Sequence, residues 1–272
     1  MVGHVEWVQF ARVAHVPRAG EVAHARDVFE EPAGGGAVAA VQLARLAGGC
    51  LLFTALGEDE EGRRSLRRLG ELGVEVRASL GAAPTRRAVT LVDDAGERTI
   101  TTLGARLEPL GAEGGEHWDE LADLDGVYFT AGGASALRAA REAARVLLAS
   151  PRARDALGHG VALDALVLSG RDEIERREAD RADREAQLIV WTEGARGGRY
   201  RGAAGAGEWE AAVPGGAPVD SYGCGDSFAA GLTYGLAAGM ALADALALAA
   251  RCGATCLTGR GPYQRQLTAR DL

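Results

Sequence analysis

From about residue 127 onward the chain alternates short apolar runs with helical stretches, and this alternation restricts its fold more than any single residue does. Val127-Tyr128-Phe129-Thr130, Val161 to Leu168 and Leu188-Ile189-Val190-Trp191-Thr192 have the length and composition of buried strands. Helices are expected between and after them, at Ala134 to Leu148, over the charge-dense residues 171 to 185, at Phe228 to Leu236 and at Leu242 to Leu257. Strands that are apolar on both faces and separated by helices predict a mostly parallel sheet covered on both sides. The expected fold is therefore a three-layer α/β/α sandwich. Ligands of such sheets bind at the carboxyl ends of the strands, so the loops after Phe129, Leu168 and Thr192 should converge with the loop before Phe228.

The first hundred residues break this rhythm. His4 to Phe10 alternates as a half-buried strand, with His4, Glu6 and Val8 on one face, and Glu21 to Phe29 reads as another short strand. Ala88 to Val92 and Arg98 to Thr102 form a hairpin across Asp93-Asp94-Ala95-Gly96-Glu97. These pieces are expected to make a small β-sheet lid, from roughly 4–32 and 84–104, on a single domain spanning 1–272. Between them, Gly34-Gly35-Gly36 enters an amphipathic helix reaching Leu46, and Leu51 to Leu56 is a buried strand ending at Gly57-Glu58-Asp59. In the helix from Gly62 to Leu72, Arg63, Arg64, Arg67 and Arg68 read as a solvated face.

Charge and composition remove several functions. A net charge of −8 argues against binding a phosphate backbone, and no apolar run approaches the ~18 residues of a spanning helix. The opening Met1 to Glu6 lacks the layout of a secretory signal. A soluble, cytoplasmic protein is expected, with no nucleic-acid or membrane partner. Cys50, Cys224, Cys252 and Cys256 show neither zinc nor disulfide spacing. All 30 basic residues are arginine, which excludes a lysine-dependent Walker loop and a pyridoxal-phosphate Schiff base.

The chemistry is concentrated in Asp220-Ser221-Tyr222-Gly223-Cys224-Gly225-Asp226-Ser227-Phe228. Two glycines ahead of a helix let consecutive amides point outward, and the helix dipole adds positive potential, so an anion can bind there. The Asp226 carboxylate would repel a phosphate, so its presence there needs another purpose, and taking the proton of a hydroxyl that attacks the phosphate is the obvious one. A capped helix with a favourable first-turn acid is the alternative. The string Asp-Ser-x-Gly-x-Gly-Asp-Ser-Phe-x-x-Gly closely resembles the C-terminal signature of the ribokinase-like (phosphofructokinase-B) carbohydrate kinases. Pro17-x-x-Gly20-Glu21, Gly34 to Gly36, Gly57-Glu58-Asp59, Gly96-Glu97-Arg98 and Thr192 to Gly197 follow that family's order.

The resemblance implies ATP-dependent phosphoryl transfer to a hydroxyl of a sugar or sugar-like small-molecule substrate, with ATP and Mg²⁺ as cofactors. Asp226 would be the base, with the amides of Gly223, Cys224 and Gly225 forming the anion hole. Thr192, Gly194 and Gly197 would line the nucleotide site, with Cys252 and Gly253 flanking adenine. Gly34, Gly35 and Gly36 would approach the substrate. Asp220 and Ser221 match a segment that holds a monovalent cation, K⁺ among them. The magnesium-associated Asn-x-x-Glu pattern falls on Ser169-Gly170-Arg171-Asp172, leaving Asp172, or its neighbour Glu173, to orient metal-bound water. In related kinases the lid also pairs two subunits, so a homodimer is expected.

Two positions depart from the family. Its first-strand aspartate falls on Val8 and its substrate asparagine on Val38 or Ala39. Glu6, on the Val8 face about 7 Å away, either replaces the aspartate or is a solvated strand residue. These losses argue against a common free hexose or ribose as acceptor. A non-catalytic ligand-binding regulator is one alternative. An oxidoreductase using Gly34-x-Gly36-x-x-Ala39 with Glu58 is another, although Phe29-Glu30-Glu31-Pro32 makes a poor strand before that fingerprint.

Overall fold

A computed structural model describes residues 1–111, 118, 124–203 and 205–272. The central sheet contains the parallel pair β3 (Cys50–Gly57) and β4 (Val74–Gly81) and the run β7 (Leu124–Phe129), β8 (Ala144–Ala149), β9 (Leu163–Ser169) and β10 (Ala186–Thr192). Antiparallel β11 (Gly198–Gly202) and β12 (Gly205–Trp209) extend it past β10. Val2 bridges Phe53 on one side and Phe129 on the other, so residues 1–3 join the two parts of the sheet. The fold is thus mixed α/β around a mostly parallel sheet.

A separate four-stranded sheet has the order β2-β1-β5-β6, with β1 (Glu6–Arg12), β2 (Asp27–Ala33), β5 (Arg87–Val92) and β6 (Arg98–Leu103). Its pairing is antiparallel except between β1 and β5, where Trp7 lies opposite Arg87. The segment 21–26 is not strand. The run through Pro32, poor by composition, is strand up to the glycine turn because it lies at the sheet's edge, where a missing N–H costs little.

The helices are α1 (Gly35–Ala47), α2 (Glu60–Glu71), α3 (Ala134–Ala143), α4 (Glu173–Ala179), α5 (Cys224–Ala237) and α6 (Leu242–Leu257). Helix α1 is not amphipathic in place: eleven of its residues are buried, packed against α5 and β3, and its alanines and glycines allow that proximity. The arginines of α2 are not simply solvated. Arg64 pairs with Glu30 and stacks on Trp7, and Arg68 grips Glu31 with two hydrogen bonds, tying α2 to the small sheet. Gly57-Glu58-Asp59 forms a clasp in which Asp59 caps α2 through Gly62 N–H and also takes the amide and hydroxyl of Thr85.

Two expected helices were misjudged. The stretch 134–148 divides at Ala143, where the chain turns directly into β8. Residues 141–146 contain no Gly, Pro, Asn or Asp to mark a turn between helix and strand, and a short apolar run looks the same in either element. Between 171 and 185 only α4 is helical, as Asp172 caps its start and turns follow Ala179. Among the described residues, no helix is long and apolar enough to cross a membrane.

Candidate active site

The site is organised at the start of α5. Gly223 precedes the helix with φ 82° and ψ −2°, a left-handed conformation that favours glycine. Its missing side chain also makes room for Val38, since a Cβ there would lie 2.8 Å from Val38 Cγ1. The amides of Gly225 and Asp226 fall in the first helical turn, where no intrahelical acceptor exists. Cys224 N–H has only a long 3.5 Å contact to Ser221 O. Cys224 Sγ faces inward, 4.0 Å from the Asp220 carbonyl, so at this turn the residue offers its backbone.

Asp226 lies in that first turn with 15% of its side chain exposed. Burial raises its pKa, the guanidinium groups of Arg152 and Arg98 draw it back, and Glu175 pushes it up. Arg152 Nη1 stands 3.6 Å from Asp226 Oδ1, while Arg152 Nε donates to Glu175 Oε1 at 2.8 Å. The second oxygen of Glu175 accepts from Ser169 N–H. The loops after β8 and β9 are thereby linked to Asp226.

The glycine run closes the other side. Gly34 N–H donates to the Tyr222 hydroxyl at 3.1 Å, joining segments 188 residues apart. A Cβ on Gly35 would lie 3.0 Å from Asp226 Oδ1, 3.6 Å from His4 Cε1 and 3.7 Å from Arg152 Nη1, so these three groups surround a point without a side chain. At Gly36 the close neighbours are the backbone of Gly3 and His4, which lets α1 pack against the first strand.

His4 and Glu6 are both buried, which removes the solvated alternative for Glu6. Arg86 Nε lies 3.3 Å from Glu6 Oε2, a position set by the β1–β5 register, although neither atom is in hydrogen-bond alignment. Burial raises the Glu6 pKa against the pull of Arg86 and Arg152, and the charge of Asp226 adds to the rise. Burial holds His4 well below its ordinary value, and Arg106, Arg152 and Arg86 add to that effect. Val8, Val38 and Ala39 are wholly buried in the core.

The remaining expected residues occupy varied positions. Asp220 is buried, its two oxygens accepting from Tyr222 N–H and Gly261 N–H, and burial raises its pKa. Arg98 donates to both the carbonyl and the hydroxyl of Ser221. Thr192 ends β10, and Gly194 and Gly197 adopt positive φ just beyond it, beside Arg171, which donates to Glu193 O. Gly253 is packed near the Cys224 carbonyl, whereas the Cys252 side chain fills the α5–α6 interface against Gly231. Asp172 caps α4, with Oδ1 accepting from Ile174 and Glu175 amides, and Glu173 is exposed. The oxidoreductase fingerprint lacks its context: β2 enters α1 from the small sheet and pairs antiparallel with β1.

Sequence reasoning missed Arg152, Glu175, Arg86 and Arg106. Arg152 was hidden because β8 was absorbed into a helix, so Ser150-Pro151-Arg152 was not seen as a strand-end loop. Glu175 had a visible signal, since Asp172-x-x-Glu175 repeats the acid spacing three residues beyond the chosen frame.

A model of the pfkB family carbohydrate kinases matches residues 1–269. The chain belongs to the pfkB family. Among curated proteins, the ribokinase of Dictyostelium discoideum is 30% identical over 106 residues, a match spanning 38% of this chain and 33% of that relative. Among solved structures, Thermotoga maritima ribokinase aligns with a TM-score of 0.77 at 18% identity, covering 99% of this chain and 96% of its own. An Arabidopsis thaliana ribokinase complexed with ribose and ATP aligns at 0.76 and 18% identity, covering 99% and 95%. The adenosine kinase of Sinorhizobium meliloti aligns at 0.77 and 20%, covering 99% and 96%. These likenesses give this pfkB member its fold, and family membership supports a carbohydrate or nucleoside kinase.

Proposed function

We propose that the protein transfers the γ-phosphoryl group of ATP to a hydroxyl of a sugar-like alcohol. The observation that carries this reading is the α5 start, where uncommitted amides adjoin the Asp226 carboxylate across from a point kept clear by Gly35. The acceptor hydroxyl would enter over Gly35 and give its proton to Asp226, whose raised pKa suits a general base. Developing phosphoryl charge would meet the amides of Gly223, Cys224 and Gly225 and the positive end of the helix. Thr192, Gly194, Gly197 and Gly253 would border the nucleotide, while Cys252 would contribute packing beneath it.

Among the described residues, no three His, Cys, Asp or Glu side chains gather as a metal cage. Glu175 has both oxygens engaged, and Asp172 spends one on its helix cap. They do not form a direct Mg²⁺ site, so Mg²⁺ belongs with the nucleotide phosphates, whose charge it neutralises. Asp172 would reach it through water. A monovalent cation at Asp220 and Ser221 would have to displace Arg98 from Ser221.

The small sheet would act as a lid that keeps water from the transfer. Ser221 N–H donates to Gly96 O, so the β5–β6 hairpin already touches the loop before α5. Val28, Ile100 and Leu103 expose apolar surface on that sheet, which supports pairing with a second copy, to be checked by sedimentation. The decisive test of the kinase reading is Asp226→Ala, expected to lower turnover roughly 10²–10⁴-fold while the protein stays folded. Undiminished ADP release would remove Asp226 from the chemistry.

A further inference from the structure

The turn that precedes α5 contains the oxygens a monovalent cation would use, and the protein's own donors already hold them. Asp220 is buried, and its two oxygens accept from Tyr222 N–H at 2.8 Å and from Gly261 N–H at 3.0 Å. The carbonyl and the hydroxyl of Ser221 both accept from Arg98 Nη1, at 3.1 and 3.3 Å. The Tyr222 carbonyl accepts from the buried Cys256 thiol at 3.4 Å. Hard cations select oxygen ligands, whereas the group facing that carbonyl is a soft sulfur. These residues therefore do not fit a bound K⁺. Seating one would break the Arg98 and Cys256 hydrogen bonds and set a second positive charge beside the guanidinium.

Arg98 brings its charge from the small sheet. It opens β6 opposite Val92, and the hairpin behind it is fixed to the same turn. Gly96 O accepts from Ser221 N–H at 2.9 Å, and a Cβ on Gly96 would lie 3.3 Å from the Val219 carbonyl. The guanidinium carbon stands 6.0 Å from the centre of the Tyr222 ring, at the outer limit of a cation–π contact. Burial raises the pKa values of Asp220, Tyr222 and Asp226, and Arg98 is among the charges that draw each of them back. Its influence thus extends along the turn to the proposed base. Ser221 O also receives the Cys224 amide, but only at 3.5 Å. Arg98 on that oxygen leaves Cys224 N–H weakly held, and this is one of the amides proposed to meet phosphoryl charge.

We infer that Arg98 is a positioning residue that takes the place of a monovalent cation at this turn, so that phosphoryl transfer by this chain needs no K⁺. This inference rests on the kinase reading and goes beyond it, since it assigns the turn's positive charge to a residue of the small sheet.

The test uses the full chain with MgATP and the acceptor phosphorylated best among sugars, nucleosides, polyols and sugar phosphates. Assays run in KCl, NaCl or choline chloride at one ionic strength. The kcat/KM values should agree within about threefold across these salts. Scanning fluorimetry should give one Tm in all three, because a specifically bound ion would stabilise the fold. Arg98→Ala should lower kcat about 5–30-fold, as expected for losing a hydrogen bond from a charged donor at an exposed site, with little change in either KM. Methylguanidinium should restore turnover to that variant where the same concentration of K⁺ does not. Arg98→Lys, which keeps the charge without the fork, should fall between and serves where the alanine variant does not fold. A gain in kcat/KM of more than threefold, or a higher Tm, in KCl alone would overturn the inference. So would a folded Arg98→Ala protein that loses less than fivefold in kcat. No phosphorylation in any salt would remove the kinase reading, and the Tm comparison would still decide whether the turn takes a cation.

Discussion

Gly35→Ala should raise the stability of the protein and lower its turnover. Gly35 begins α1, its φ lies outside the left-handed range, and the added methyl meets no backbone within 3.7 Å among its nearest neighbours. Removing backbone freedom from the unfolded chain at such a position is worth about 0.4–1 kcal/mol. At roughly 2–4 °C per kcal/mol for a chain of this size, Tm should rise by about 1–4 °C. The same methyl would lie 3.0 Å from Asp226 Oδ1, closer than an ordinary contact, and would fill the space shared with His4 and Arg152. The carboxylate oxygen must shift by a few tenths of an ångström, and an acceptor entering as proposed would lose its approach. Misplacement on that scale, with the approach blocked, should cost about 10²-fold in kcat/KM, or ~2.7 kcal/mol at 1.36 kcal/mol per decade. Gly36→Ala is the control, since its Cβ would meet the backbone of Gly3 and His4 at 2.6 Å, forcing helix and strand apart. That variant should lose about 1–3 kcal/mol of stability. Scanning fluorimetry and ADP release with the preferred acceptor read both quantities. A Gly35→Ala protein with unchanged or higher Tm and turnover within threefold of the parent would show that the acceptor does not approach over Gly35.

Two further perturbations follow from the charge arrangement. Arg152 holds the Asp226 pKa down against burial, so Arg152→Gln should move the acid limb of the kcat/KM profile to higher pH; a static or lowered limb would contradict that coupling. Burial acts to raise the Asp59 pKa, but hydrogen bonds from Thr85 and Gly62 N–H bring it below its ordinary value. A depressed carboxylate pKa stabilises the fold fully above the unfolded-state value and progressively less as pH falls through the folded-state value. Asp59→Ala should therefore cost about 1–2 kcal/mol near neutrality, and chemical denaturation should show the gap to the parent closing in acid.

The α/β class, the small sheet and the glycine turn that opens the helix at Asp226 were legible in the sequence because each depends on local features. These are apolar runs of strand length, a hairpin turn, and glycines followed by an acid at a helix start. The same local reading failed where helix passes into strand without a break, at Ala143 and Ala144, and so it lost Arg152. It also judged the arginines of α2 by their number, when Glu30, Glu31 and Trp7 decide what they do.

The chain's residue pattern alone determined its α/β alternation and the glycine turn that starts the helix at Asp226. Tertiary structure decided what surrounds that loop. It brought Gly35, His4 and Arg152 to Asp226, set Arg86 beside Glu6 through strand register, and assigned Asp172 to a cap and Glu175 to Arg152. Backbone conformation at a helix start is governed by neighbouring residues. The pairing of charges across 23 residues, as between Arg152 and Glu175, or 80, as between Glu6 and Arg86, depends on packing, which no local spacing encodes.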